Sequence, residues 1–297
     1  MSGQNKDQGR GCLIIMILIL SVVLVLLVSI CHQKVELSTQ PTKETTAAVT
    51  ESVKPTETTA PATSSEPVST VEPDQEAVIT EPPPQQIPYL VVIDAGHQAR
   101  GNMEKEPVGP GATQKKAKVS SGTEGVVTGL EEYELNLQVA NKLQQILESR
   151  GYRVEMIRTG HDVDLSNAER ATKANELEAD AFIRIHANGD SDPGTQGIMT
   201  LCQTEDNPYN GDLYAQSKAL SQCVLEETVA ATGGKKQFVW ETDTMTGINW
   251  CRVPVTIVEM GYMSNPEEDR LMATEDYQQK LAEGMANGID RYFEEES

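Results

Sequence analysis

The sequence predicts an α/β fold, a mostly parallel twisted sheet with helices on both faces, preceded by a transmembrane helix and a disordered stalk. Three observations predict it. Short aliphatic runs that end at glycine or histidine alternate with amphipathic helical patterns from residue 89 onward, the signature of strands that are buried on both faces by crossover helices. An almost unbroken aliphatic stretch fills positions 13–31, close to the roughly 20 apolar residues that a membrane-spanning helix needs. Between the two, residues 32–88 turn to Thr, Pro, Glu, Ser and Ala with no periodic apolar face, a composition that cannot bury enough surface to offset the entropy of ordering.

The elements follow in order. Residues 1–12 form a short polar head with Lys6 and Arg10, and basic residues before a span favour a cytoplasmic head and an extracytoplasmic remainder. An uncleaved anchor is expected at 13–31. A signal peptide would have a shorter apolar core and a small-residue cleavage site, and a lipidated Cys31 would have a small residue where Ile30 stands. The folded domain is expected at 89–297. Its first strand is Pro-Tyr-Leu-Val-Val-Ile-Asp-Ala-Gly-His97. A helix over 131–149 puts Leu135, Val139, Leu143 and Ile146 on one face, and Gly151 ends it. A strand over 152–157 comes next. Ser166-Asn-Ala-Glu169 then opens a helix as a capping box, hydroxyl and carboxylate each satisfying the other's free backbone amide. A strand over 181–186 ends at His186, and another aliphatic run covers 253–259. Asn265-Pro-Glu-Glu268 starts a helix with Pro266 at its first position. The last helix places Leu281, Met285, Ile289 and Tyr292 on one face.

Charge and cysteine content narrow the function. Against 24 Lys and Arg stand 45 Asp and Glu, a net charge of −21, and no basic face is concentrated anywhere, which argues against nucleic acid as a partner. Cys202, Cys223 and Cys251 form neither a paired framework nor a metal motif and are expected to be buried thiols.

Candidate chemistry begins with the four histidines. His97 and His186 each end an apolar run, and ligands in open α/β sheets gather at the carboxyl ends of strands, so the two imidazoles are placed to meet. A hydrogen-bonded strand-end histidine is the alternative for each. A catalytic metal site of the zinc type takes three protein ligands and keeps a fourth position open, so a carboxylate is wanted beside the pair. Of Glu131, Glu132 and Glu134, Glu132 lies in the middle of the helix's apolar stripe, where a carboxylate needs a metal or an arginine to compensate it. Glu259 repeats the anomaly, ending an aliphatic strand in phase with Val255 and Ile257. It is a candidate general base or acid, or else an ion-pair partner of Arg158, Arg170 or Arg184. Asp94 and Asn188 are candidates for orienting the histidines, or else for strand-end hydrogen bonds of their own.

Four motifs in order, Ile-Asp-Ala-Gly-His97, Gly-Leu-Glu-Glu132-Tyr-Glu-Leu-Asn-Leu, Ile-His186-Ala-Asn188 and Val-Pro254-Val-Thr-Ile-Val-Glu259-Met-Gly-Tyr-Met-Ser-Asn265-Pro, resemble the zinc-dependent N-acetylmuramoyl-L-alanine amidases of bacterial cell walls, over about residues 89 to 293. The resemblance implies Zn2+ held by His97, Glu132 and His186, Glu259 as the catalytic carboxylate, and peptidoglycan as the substrate, cut between N-acetylmuramic acid and L-alanine. Alternatives within the same residues are a zinc peptidase acting on the stem peptide, a non-catalytic wall-binding or regulatory module, and a structural zinc site completed by His161. The sequence departs from the family pattern over residues 203–249, which do not map onto it, and in two further places. A polar insertion over 98–128 replaces a glycine-rich stretch and is a candidate lid or surface for a protein activator. Arg184 stands where a small residue is more usual.

Overall fold

The computed structural model describes residues 87–295. The expected head, anchor and nearly all of the stalk lie outside the described residues, and among the described residues no helix is long and apolar enough to cross a membrane.

Among the described residues, eight strands and six α-helices follow one another: β1 (Leu90–Ala95), β2 (Asn102–Pro107), β3 (Lys115–Val119), α1 (Glu132–Ser149), β4 (Arg153–Met156), α2 (Asn167–Glu176), β5 (Ala181–Asn188), β6 (Ile198–Cys202), α3 (Tyr214–Thr232), β7 (Lys236–Glu241), α4 (Thr246–Asn249), β8 (Val255–Tyr262), α5 (Pro266–Met272) and α6 (Glu275–Glu295). Six strands form one sheet in the order β4-β1-β5-β8-β6-β7. Its first four strands are parallel, as the alternation of strand and helix requires, while β6 runs antiparallel to β8 and takes β7 with it.

Every residue of β1 is buried, so both of its faces need a cover. Val91, Ile93, Ile183, Ile185 and Val258 point to the side packed by α1, α3 and α6 through Leu135, Leu143, Leu220, Leu281 and Met285. Val92, Phe182, Val255 and Ile257 point to the other, closed by Ala171 and Ala174 of α2 and by Ile248 and Cys251 around α4. The three cysteines are free and buried, as expected.

The caps agree with the sequence. Ser166 and Glu169 form the reciprocal capping box, and the Asn265 side chain accepts from the amides of Glu267 and Glu268, with Pro266 in the first turn. The insertion is itself ordered. Within it β2 and β3 pair as an antiparallel hairpin, with a register shift between Asn102 and Lys105. Near its turn, the Trp250 indole donates to the Pro107 carbonyl at 3.0 Å and the Asn249 amide to that of Val108 at 3.0 Å. Residues 203–249, which gave no readable pattern, supply β7, α3 and α4.

Candidate metal centre

The carboxyl ends of β1, β5 and β8 lie side by side, and they bring His97, His186 and Glu259 to one edge of the sheet. His186 and Glu259 are register partners on adjacent strands. His97 follows β1 with φ of 61°, a left-handed backbone rare outside glycine that turns the imidazole back over the strand ends. The glycine before it is needed for a different reason. A Cβ on Gly96 would lie 2.3 Å from the His186 ring, so only a residue without a side chain lets β1 end against that imidazole.

Glu132 enters from the first turn of α1 and is 3% exposed, whereas Glu131 sits at the N-cap and Glu134 is half-buried. The stripe position thus selects Glu132. Its Oε1 lies 3.0 Å from His97 Nε2 and 3.2 Å from His186 Nδ1, and those two nitrogens are 3.1 Å apart. Tetrahedral zinc with bonds of 2.0–2.1 Å has ligand-to-ligand edges of about 3.3 Å, so the three atoms already stand at nearly the spacing of a metal's ligands. Their chemistry fits as well. The Ser120 carbonyl, 2.9 Å from His97 Nδ1, can only accept, which puts the proton on Nδ1 and leaves the Nε2 lone pair facing inward. Burial pushes the His186 imidazole down to about 4, so it is neutral at pH 7, the form that binds metal. Burial opposes ionisation of Glu132, but the His186 and His97 rings beside it outweigh burial and hold the carboxyl well below the usual range.

The insertion takes part in this arrangement. Besides the Ser120 carbonyl it supplies the Thr123 amide, which donates to Glu132 Oε2 at 2.9 Å. Gly122 between them has φ of 94°, and a Cβ there would meet Glu132 Oε2 at 2.8 Å and His97 Cγ at 3.1 Å. Fixed at its turn by Trp250 and Asn249 and at its base by the site, the hairpin is a wall of the site. In this structure both ends of the insertion are hydrogen-bonded, to Trp250 and Asn249 near the turn and to His97 and Glu132 at the base.

Glu259 makes no ion pair among the described residues, and its buried Oε2 has no hydrogen-bond partner. The arginines weighed as its partners are engaged elsewhere. Arg170 and Arg184 both pair with Asp94, at 2.6 and 2.9 Å, and Arg158 donates to the carbonyls of Ala95, Gly96 and Tyr133. Burial, reinforced by the nearby Glu132 charge, pushes the Glu259 carboxyl up to about 8. The two orienting candidates are corrected too. Asp94 serves the arginines and Asn188 accepts from Gly189, so neither bonds a histidine. His161 stacks edge-on against Tyr133 and lies outside the cluster, which holds three candidate ligands and no fourth. An open cleft of about 470 Å3, lined by His97, Glu132, His186, Asn188 and Glu259, gives access from solvent.

Comparison with known proteins agrees with this geometry. The sequence pattern of the family described as N-acetylmuramoyl-L-alanine amidase matches residues 91–291. The uncharacterized protein YqiI of Bacillus subtilis is 29% identical over 205 residues, which cover 69% of this chain and 85% of that one. The N-acetylmuramoyl-L-alanine amidase AmiC of Neisseria meningitidis is 25% identical over 240 residues, covering 69% of this chain and 52% of its own length. Among solved structures, the catalytic domain of CwlV, an N-acetylmuramoyl-L-alanine amidase from Bacillus (Paenibacillus) polymyxa, superposes with a TM-score of 0.57 at 27% identity, covering 69% of this chain and 98% of that domain.

Proposed function

Since this chain belongs to the N-acetylmuramoyl-L-alanine amidase family, whose reaction is hydrolysis of the amide joining N-acetylmuramic acid to L-alanine in peptidoglycan, we propose that it performs that hydrolysis with Zn2+ held by His97, Glu132 and His186. The observation that carries the proposal is the convergence of three ligand atoms within 3.0–3.2 Å beside a buried carboxylate oxygen that has no partner.

When bound, the metal would supply Lewis acidity, polarising the scissile carbonyl and acidifying the attacking water. The remaining work falls to the chain. Glu259 Oε2 takes the proton of the water and returns it to the departing alanine amine, and a carboxyl raised toward neutrality both accepts and gives a proton near pH 7. His97 is held in one tautomer by Ser120, and Glu132 is fixed by the Thr123 and Ala187 amides, so the ligands need little rearrangement. The apolar run at 13–31 supports a tether in the cell membrane with this domain on the extracytoplasmic side, where peptidoglycan lies.

The test is digestion of purified peptidoglycan by the full chain, with zinc or with a chelator, alongside Glu259→Ala. Mass spectrometry should show intact stem peptides with new L-alanine amino termini, dependent on both zinc and Glu259. Shortened stem peptides would identify a peptidase instead, and zinc uptake without cleavage would point to a missing protein activator or a binding role.

A further inference from the structure

Adjoining the open cleft is a second cavity of about 240 Å3, which shares His97, His186 and Glu259 with the site. Two cations stand among its otherwise neutral remaining lining. Lys116 comes from the hairpin, and Arg184 from β5. Arg184 is 2% exposed, its Nε and Nη2 engaged by Asp94 and Asn167, while its Nη1 makes no hydrogen bond among the described residues and lies against Gly247, where a Cβ would be 1.7 Å away. Lys116 spends one of its three N–H groups on the Thr244 carbonyl.

Charge behind this wall is out of balance. Arg158, Arg170 and Arg184 are all buried; Arg170 and Arg184 share Asp94, and Arg158 is paired with backbone carbonyls alone among the described residues. Buried charge without a counter-charge is costly, and an anion in the cavity would complete the set.

Resting on the amidase reading, we infer that this cavity is a subsite for a carboxylate on the peptide side of the scissile amide, held by Arg184 and Lys116. The substrate's chemistry selects the side. The lactyl carboxyl of the glycan is consumed in the amide that is cut, which leaves that side uncharged, whereas the stem peptide keeps free carboxylates. The glycan polymer then takes the larger, open cleft. Arg184 replaces a small residue of the family pattern and Lys116 belongs to the insertion, so two of the departures from that pattern meet in one pocket.

The inference is tested with two probes, a dipeptide that begins with L-alanine and bears a free α-carboxylate on its second residue, and the same dipeptide as the carboxamide. Calorimetric titration of the full chain under chelation keeps the metal from capturing the carboxylate, and the N-acetylmuramoyl derivatives of both probes are assayed on the zinc-loaded chain. The carboxylate should bind at least about tenfold more tightly, as expected for hydrogen bonds to a charged group. Lys116→Gln, a change on the hairpin, should cut that preference to about threefold and leave carboxamide binding unchanged. Arg184→Gln should abolish it, with folding checked by circular dichroism. Equal binding of the two probes overturns the inference, and so does a preference untouched by both variants, while the amidase reading stands if the muramoyl substrates are still cleaved. A preference that depends on Lys116, without any amide cleavage, leaves the subsite in place and turns the amidase reading toward a missing protein activator or a binding role.

Discussion

Gly122→Ala is the perturbation that best separates the metal centre from the rest of the fold, because it removes no ligand and no charge. Two effects are expected. An L-residue at φ of 94° is strained, which costs about 1–2 kcal/mol and lowers the melting temperature of a domain of this size by roughly 2–8 °C. The second effect is steric. The new Cβ would stand 2.8 Å from Glu132 Oε2 and 3.1 Å from His97 Cγ, so both ligands must shift. Disturbing groups that orient ligands typically lowers metal affinity 10–100-fold, or about 1.4–2.8 kcal/mol. Gly111→Ala is the control, since Gly111 has φ of 75° and nothing within 4 Å of its built Cβ, and so pays the strain alone. Zinc affinity is read by competition with a chromophoric chelator, and stability by thermal melting of the chelated proteins. Both variants should melt earlier, and only Gly122→Ala should lose zinc. Equal zinc affinity in the two would refute the claim that the hairpin base packs the ligands.

Glu259→Gln should keep zinc and lose activity by about 10²- to 10⁴-fold, measured as peptide release from peptidoglycan. In the metal-free protein, a Glu259 carboxyl raised from about 4.5 to about 8 holds a proton that the unfolded chain has lost, so its contribution to stability falls as pH rises through that window. Glu259→Gln should therefore gain in melting temperature over wild type at pH 9 and match it near pH 4. Asp94→Asn should destabilise the fold by about 3–5 kcal/mol in denaturant titration, because it leaves Arg170 and Arg184 buried without their carboxylate. Burial pushes the thiols of Cys202 and Cys223 up to about 11 and that of Cys251 to about 12, so peptide mapping at pH 8 should find all three unalkylated in the native protein and alkylated after unfolding.

The side chains of the metal centre were legible because each broke a local pattern. Glu132 is a carboxylate inside an apolar stripe, Glu259 a carboxylate in phase with aliphatic neighbours, and the histidines close runs that glycine and alanine would otherwise end. The supports were not legible, since the Ser120 carbonyl and the Thr123 amide are backbone groups that any residue type provides. The hairpin was hidden for a related reason. Its strands are short and rich in lysine, with Glu106 and Val119 buried and little alternation to mark a face. Strand β6 is buried throughout, so nothing in its side chains encodes which way it runs. Asp94 misled because its partners, Arg170 and Arg184, lie 76 and 90 residues along the chain, beyond any local pattern.

The hairpin also dictates where this protein tolerates added sequence. Its turn, residues 111–114, is largely exposed, with open space around Gly111, and follows the segment anchored by Trp250 and Asn249. An epitope tag or a foreign wall-binding module spliced there would project into solvent and leave the ligand supports undisturbed. The same graft between Ser120 and Thr123 would pull apart the two backbone groups that hold His97 and Glu132, so two sites about ten residues apart in one insertion make opposite demands on an engineer.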